Sequence, residues 1–355
     1  MSHPSVGILR SVLPEQSRLR STFKGVLLFL SVFSLYVMLF GLALAVNGWW
    51  YKLILGLLSG LAFSILFVIG HDACHDSLTP SSFLNAMIAR IAFLPSLHPY
   101  VTWELGHNRL HHGWTNLKGV DYVYTPFSKA EFDALPATRR LMERVYRTVL
   151  GSGLFYMIEV WWNHLIWPPP ADRSKLDKRQ FILDLSYVII FFAAECTLAF
   201  FTGPAVNPMQ QMLNVFAIVL APYFFFNWLM AFITLQHHTH PSVAWFSTRE
   251  EWDFFNGQVR GTVHVKMPRL FEFLFQNILE HTAHHVDPKI PLYQLAQCQK
   301  TLENHFAEDI TVEKGSIFQF HKNLKSCQLY DYQQHRWLRF DGTPTTGPLL
   351  SPSSV

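Results

Sequence analysis

The sequence predicts an all-α integral membrane protein: four transmembrane helices, arranged as two hairpins, with a helical cytoplasmic cap that holds a di-metal site. Three observations lead there. Half of the 355 residues are hydrophobic and only 15% are charged, against about 25% charged in a soluble domain. Four apolar segments each approach the roughly 20 residues that a helix needs to cross a bilayer. Eleven of the eighteen histidines fall into four clusters, all in the Lys/Arg-rich parts of the chain.

The spans are expected over residues 25–46, 53–70, 181–201 and 212–235. The first two carry no charge and are separated by the short stretch "NGWWYK"; the third contains Asp184 and Glu195; the fourth is again uncharged. The first apolar run is too long for a cleavable signal peptide and lacks a small-residue cleavage site. The connections 47–52 and 202–211 hold one basic residue, Lys52, whereas the arm 1–24 carries Arg10, Arg18, Arg20 and Lys24. Basic loops stay on the cytoplasmic side. That rule places both termini and the cap, built from 71–180 and 236–335, in the cytoplasm, with a bacterial inner membrane as the expected location.

The remaining segments follow from their composition. "VLGSGLFYMIEVWWNHLIW", residues 149–167, places Glu159, Asn163 and His164 among tryptophans and reads as an interfacial amphipathic helix. Residues 81–96 read as another surface helix. One domain is expected over 25–335, and 336–355, low in complexity from Gly342, as a disordered tail. Cys74, Cys196, Cys298 and Cys327 have neither zinc-knuckle nor disulfide-framework spacing. A formal charge of +3 gives no reason to expect a nucleic-acid partner.

The histidine clusters are "HDACH" (His71, His75), "HNRLHH" (His107, His111, His112), "LQHHTHP" (His237, His238, His240) and "EHTAHH" (His281, His284, His285). On an α-helix, residues three and four apart share a face. His71/His75, His107/His111 and His281/His284/His285 should then each form one stripe, with His112 turned about 100° from His111. Neighbouring rings could serve different metals. Eight or nine imidazoles exceed the three or four that one ion takes, so two ions are implied. Imidazole suits zinc, copper, iron and nickel; oxygen chemistry on an apolar chain favours iron. Asp72, Asp76, Glu104, Asp121 and Glu280 lie beside the clusters as candidate acceptors for the outer ring nitrogens. Phe224, Phe225, Phe226, Trp228 and Trp103 are candidate linings of a dry acyl tunnel. The isolated histidines, His98, His164, His264, His305, His321 and His335, are expected at the surface or in hydrogen bonds.

"HDACH", "HNRLHH" and "HTAHH" resemble the three histidine boxes of the membrane fatty acid desaturases, the second with one residue extra. The stretch "WELGHNRLHHGWTNLKGVDYVYTP", the "LQHHTHP" and "REEWDF" segments and "EHTAHHVDPKIPLYQL" extend the resemblance over roughly residues 63–297 and bring it nearest to bacterial and plant omega-6 (delta-12) acyl desaturases. It implies two iron ions held by His71, His75, His107, His111, His112, His281, His284, His285 and one further histidine, His237 or, by the "HTHP" match, His238. It implies no catalytic residue beyond the ligands, molecular oxygen as co-substrate, and a fatty acid, acyl-lipid or acyl-thioester as substrate. With no dinucleotide fingerprint and no haem domain in the chain, the electrons are expected from an external donor such as ferredoxin with its reductase.

Other outcomes share these boxes: hydroxylation, acetylene formation, and oxidative decarboxylation of a free fatty acid to a terminal alkene. A metal transporter or sensor would also place histidines at helix ends, but it needs ionisable residues along a path through the bilayer. Here Asp184 and Glu195 alone lie within the spans.

Overall fold

Uninterrupted apolar sequence produces the longest elements of the protein. The computed structural model describes residues 3–203 and 207–350; the end of the expected tail, 351–355, lies outside the described residues. Among the described residues four helices are long and apolar enough to cross a membrane: Thr22–Ala45, Trp49–Cys74, Lys178–Phe200 and Pro208–His238. The chain divides into two compact units. A span unit comprises residues 20–105 and 156–230, and a box unit comprises 3–19, 106–155 and 231–350.

Within the span unit the helices differ in role. The most apolar windows of the second and fourth are 67% buried, those of the first and third 17% and 11%. Exposed Leu, Ile and Phe on the first and third therefore face what would be lipid. The second span packs at backbone distance: a Cβ on Gly56 would overlap the carbonyl oxygen of Ala217. It runs to Cys74 rather than stopping at Gly70, so His71 lies inside the helix and His75 caps it. The helix Ser82–Phe93 packs on that last turn, where Gly70 leaves room for Phe93.

Three charged residues within the spans, Lys52, Asp184 and Glu195, are engaged. Lys52 folds back on the end of the first span and donates to the carbonyls of Ala43 (3.1 Å) and Leu44 (3.4 Å), satisfying oxygens a helix end leaves open. Asp184 accepts from Arg90 Nε and from the Val101 amide, each at 3.0 Å. Glu195 accepts from the Tyr36 hydroxyl of the first span. These two carboxylates tie helices together.

Two expectations change, and the hydrogen-bonded alternative for His98 holds. The segment 149–167 is helical, but as a short α-turn Ser152–Phe155 followed by a π-helix Tyr156–Ile166. Phe224 points outward, 47% exposed, whereas Phe226 and Trp103 are buried in an aromatic layer with Phe67 and His98. His98 is itself buried: its Nδ1–H donates to the Ser96 carbonyl (2.6 Å), and its Nε2 accepts from the Tyr156 hydroxyl (3.3 Å). Burial, opposed by that carbonyl, pulls its pKa down to about 3.

The box unit is not wholly helical. Val263–Lys266 pairs in parallel with Thr311–Lys314, and Leu329–Asp331 pairs antiparallel with Arg336–Leu338. Strands of three or four residues are too short for alternation to reveal them. The second ribbon also corrects the expected tail. Trp337 is fully buried, stacks with Tyr124 and donates from Nε1 to the Val243 carbonyl at 2.9 Å. Leu349 and Leu350 pack on Leu117, Ala244 and Phe246. Trp337, Leu338 and Phe340 are thus part of the unit's core, and the few large side chains among small polar ones anchor residues 336–350 on it.

Candidate metal centre

Each histidine cluster is positioned by a helix end. In the span unit, the last turn of the second span carries His71, and His75 follows as its cap; the two buried rings meet edge to face with centroids 4.7 Å apart. Trp103 packs against His71 at 6.4 Å.

The second cluster corrects the α-helical expectation. The helix that begins at Tyr100 becomes a π-helix over Glu104–His111, and the His112 amide donates to the His107 carbonyl at 3.0 Å, five residues back. A π-bulge is one residue inserted into an α-helix, and "HNRLHH" carries one residue more than HxxHH. The bulge pairs His107 with His112: their Nε2 atoms are 3.1 Å apart. His111 faces elsewhere, and its Nδ1–H donates to Asp121 Oδ1 at 3.0 Å. Gly106 allows this course, because a Cβ there would come within 2.7 Å of the Tyr122 hydroxyl.

The helix His281–Val286 divides its imidazoles in the same way. His284 Nε2 approaches His112 Nε2 at 3.1 Å. His281 Nε2 lies 3.0 Å from His285 Nε2 and 2.9 Å from His238 Nε2. His238, not His237, therefore enters the cluster from the end of the fourth span; His237 stacks its ring on His281 at 3.8 Å. His240 turns away to Glu313 and Ser242. In the box unit, His107, His112 and His284 form one group and His111, His238, His281 and His285 another, with the ligand-type atoms of each group within 4.8 Å of one another.

The donors fit metal ions. Two nitrogens at right angles on an ion, with bonds of about 2.1 Å, stand about 3 Å apart, which is the separation of these Nε2 atoms. Burial first, then neighbouring imidazoles, holds His281 and His285 well below the usual histidine range, so their lone pairs are free of protons. In the second group the outer nitrogens of His111, His238 and His285 have acceptors that fix ring orientation. His285 Nδ1–H donates to Gln258 Oε1 (2.6 Å) and His238 Nδ1–H to the Gly261 carbonyl (3.3 Å). Thr115 donates to Gln258 Oε1, and Gln258 Nε2 donates to the His112 carbonyl, which ties the two groups together. Burial raises the Asp121 carboxyl, but His111, with help from His238 and the Asn116 amide, outweighs that and holds it below its ordinary range.

Among the five acidic neighbours singled out in the sequence, Asp121 bonds a box histidine, His111. Glu280, at the start of the third box, is buried, and burial pushes its carboxyl up to about 7. Gln258 escaped sequence reasoning: it lies in "NGQV", within a short π-helix Phe255–Val259, and carries no local signal.

The family model for fatty acid desaturases matches residues 47–313. The chain belongs to the fatty acid desaturase family. It is 29% identical over 309 residues to the sn-1 oleoyl-lipid 12-desaturase of Picosynechococcus sp., covering 84% of this chain and 82% of that one. It is 30% identical over 290 residues to the enzyme of the same name from Synechocystis sp., covering 79% and 77%. To the chloroplastic omega-6 fatty acid desaturase of Spinacia oleracea it is 26% identical over 274 residues; these are 77% of this chain and 58% of the spinach protein. The resemblance carried by the histidine boxes is thereby confirmed, and this desaturase is an oxidoreductase of lipid metabolism.

Proposed function

We propose that this desaturase is an oxygen-dependent di-iron enzyme that inserts a C=C bond into the acyl chain of a membrane lipid, with an oleoyl-type chain as the favoured substrate. The observation that carries the reading is the division of seven imidazoles of the box unit, six of them buried and His112 partly so, into two groups, in a family whose cyanobacterial relatives are named for oleoyl-lipids. Two groups of neutral nitrogen donors suit two iron ions. His107, His112 and His284 are ligands for one ion and His111, His238, His281 and His285 for the other, with His238 in place of His237; His71 and His75 of the first box are further ligands.

When bound, the irons supply the activation of molecular oxygen needed to remove two hydrogens from unactivated carbons. The chain's own residues do the rest. Asp121, Gln258 and the Gly261 carbonyl hold rings in one tautomer and orientation. Buried walls such as Trp245 and Phe246 support the box unit and keep water out. The apolar spans hold the enzyme in the bilayer where its substrate resides. The basic arm and cap place the boxes and both termini on the cytoplasmic side of a bacterial inner membrane. Reducing equivalents come from an external donor such as ferredoxin with its reductase.

Expression in a host that supplies reduced ferredoxin, followed by gas chromatography of lipids and headspace, tests this reading. An acyl-lipid two hydrogens lighter at unchanged chain length is the expected product. A volatile alkene one carbon shorter than the supplied acid would contradict it.

A further inference from the structure

By sequence, the basic residues of the N-terminal arm serve to orient the chain at the membrane. Three of them do something more specific. In the box unit the arm helix Val6–Ser11 packs against the third box His281–Val286, with Leu9 and Leu13 buried. Arg10 Nε donates to the carbonyl of Val286, the last residue of that helix, at 3.0 Å. Arg18 Nε donates to Asp287 Oδ2 at 2.5 Å, and the Asp287 carboxylate is 2% exposed. The other oxygen of that carboxylate accepts from the Lys289 amide. Cations complement the carbonyl end of a helix, and Asp287 would otherwise leave a charge in a dry turn.

The span unit repeats the device at the first box. Arg20 Nη1 donates to the Asp76 carbonyl at 2.7 Å, in the turn that ends the second span. Asp76 has φ 57°, a left-handed conformation that aspartate tolerates only locally. The same turn is packed from the other side by the start of the first span: a Cβ on Gly25 would come within 2.8 Å of the Leu78 carbonyl oxygen.

We propose that Arg10, Arg18 and Arg20 are positioning residues: each fixes the chain where it leaves a histidine box, Arg10 and Arg18 at the third box and Arg20 at the first. The inference rests on the metal reading above. Losing a hydrogen bond to a charged group loosens the segment that it held by roughly tenfold in opening equilibrium.

The test uses the full chain in detergent, with Arg10→Gln, Arg18→Gln, Arg18→Lys, Arg20→Gln and, as a surface control, Lys322→Gln. Amide hydrogen exchange is followed by mass spectrometry alongside iron release to a ferrous chelator. Residues 281–290 should exchange about tenfold faster in Arg10→Gln and Arg18→Gln, and residues 71–79 in Arg20→Gln, with faster iron release in each. Arg18→Lys should restore most of the protection; Lys322→Gln should match the parent. Unchanged exchange at both boxes, or Arg18→Lys as loose as Arg18→Gln, would overturn the proposal. Exchange is read without metal, so a parent chain that binds no iron would overturn the di-iron reading instead.

Discussion

His112 Nε2 lies 3.1 Å from His107 Nε2 although five residues separate them. The π-helix over Glu104–His111 makes this possible, and the insertion that creates it also sends His111 to the other group of imidazoles. Deleting Asn108 would give an HxxHH box and return the segment to α-helical register. His107 should then pair with a different ring. The expected outcome is loss of at least one bound metal and of product, with the chain still in the membrane; metal analysis with membrane fractionation checks it. A deletion variant that keeps both ions would refute the register argument.

Asp121 holds His111 from a fully buried position and is itself held by the amides of Asn116 (2.8 Å) and Val123 (3.0 Å). Asp121→Asn preserves shape but replaces a charged acceptor by a neutral one. We expect about a 10- to 100-fold loss of metal affinity, read by chelator competition. No change would mean that His111 is oriented by its other neighbours.

Gly56 is where the second span touches the backbone of the fourth. Gly56→Leu should cost about 1–3 kcal/mol through overpacking, seen as a lower thermal midpoint in detergent. The opposing atom is the Ala217 carbonyl oxygen, so no rotamer change can relieve the clash. Gly41, which meets nothing within 4 Å, should accept leucine without loss.

Glu303 gives a pH dependence with a definite sign. Its carboxylate bonds the His264 imidazole and Gln299 and faces Lys266 at 3.5 Å. Burial raises its pKa, but these partners outweigh burial and pull it from 4.5 to about 2. A carboxyl depressed on folding stabilises the native state above its unfolded pKa, and that contribution disappears as pH falls through the folded value. The stability difference between parent and Glu303→Gln should be largest above pH 4.5 and shrink towards pH 2. Denaturation midpoints across that range check it, and a difference that grew on acidification would refute it.

The sequence disclosed the large-scale plan because the plan is written in long apolar runs and repeated histidines. The spans lie within a few residues of their expected bounds, and His281, His284 and His285 share one helix as their spacing requires, although that helix sends His284 to one group and His281 and His285 to the other. What failed to show were features set by tertiary contact. Helical periodicity assumes an α-helix and so matches His107 with His111; the extra residue is visible in the sequence, but its conformational consequence is not. His237 and His238 are adjacent, and only the approach of His281 decides between them. Gln258 acts through a fold that brings it under His285. Trp337 lies in sequence that reads as disordered until Val243 and Tyr124 are placed around it.

The metal content of the purified chain tests the central claim most directly. The proposed di-iron reading predicts about two iron ions per chain, reduced to about one in His112→Ala and in His285→Ala, which remove a ligand from the first and the second group. A folded, active chain with no iron, or variants that retain both ions, would contradict the account.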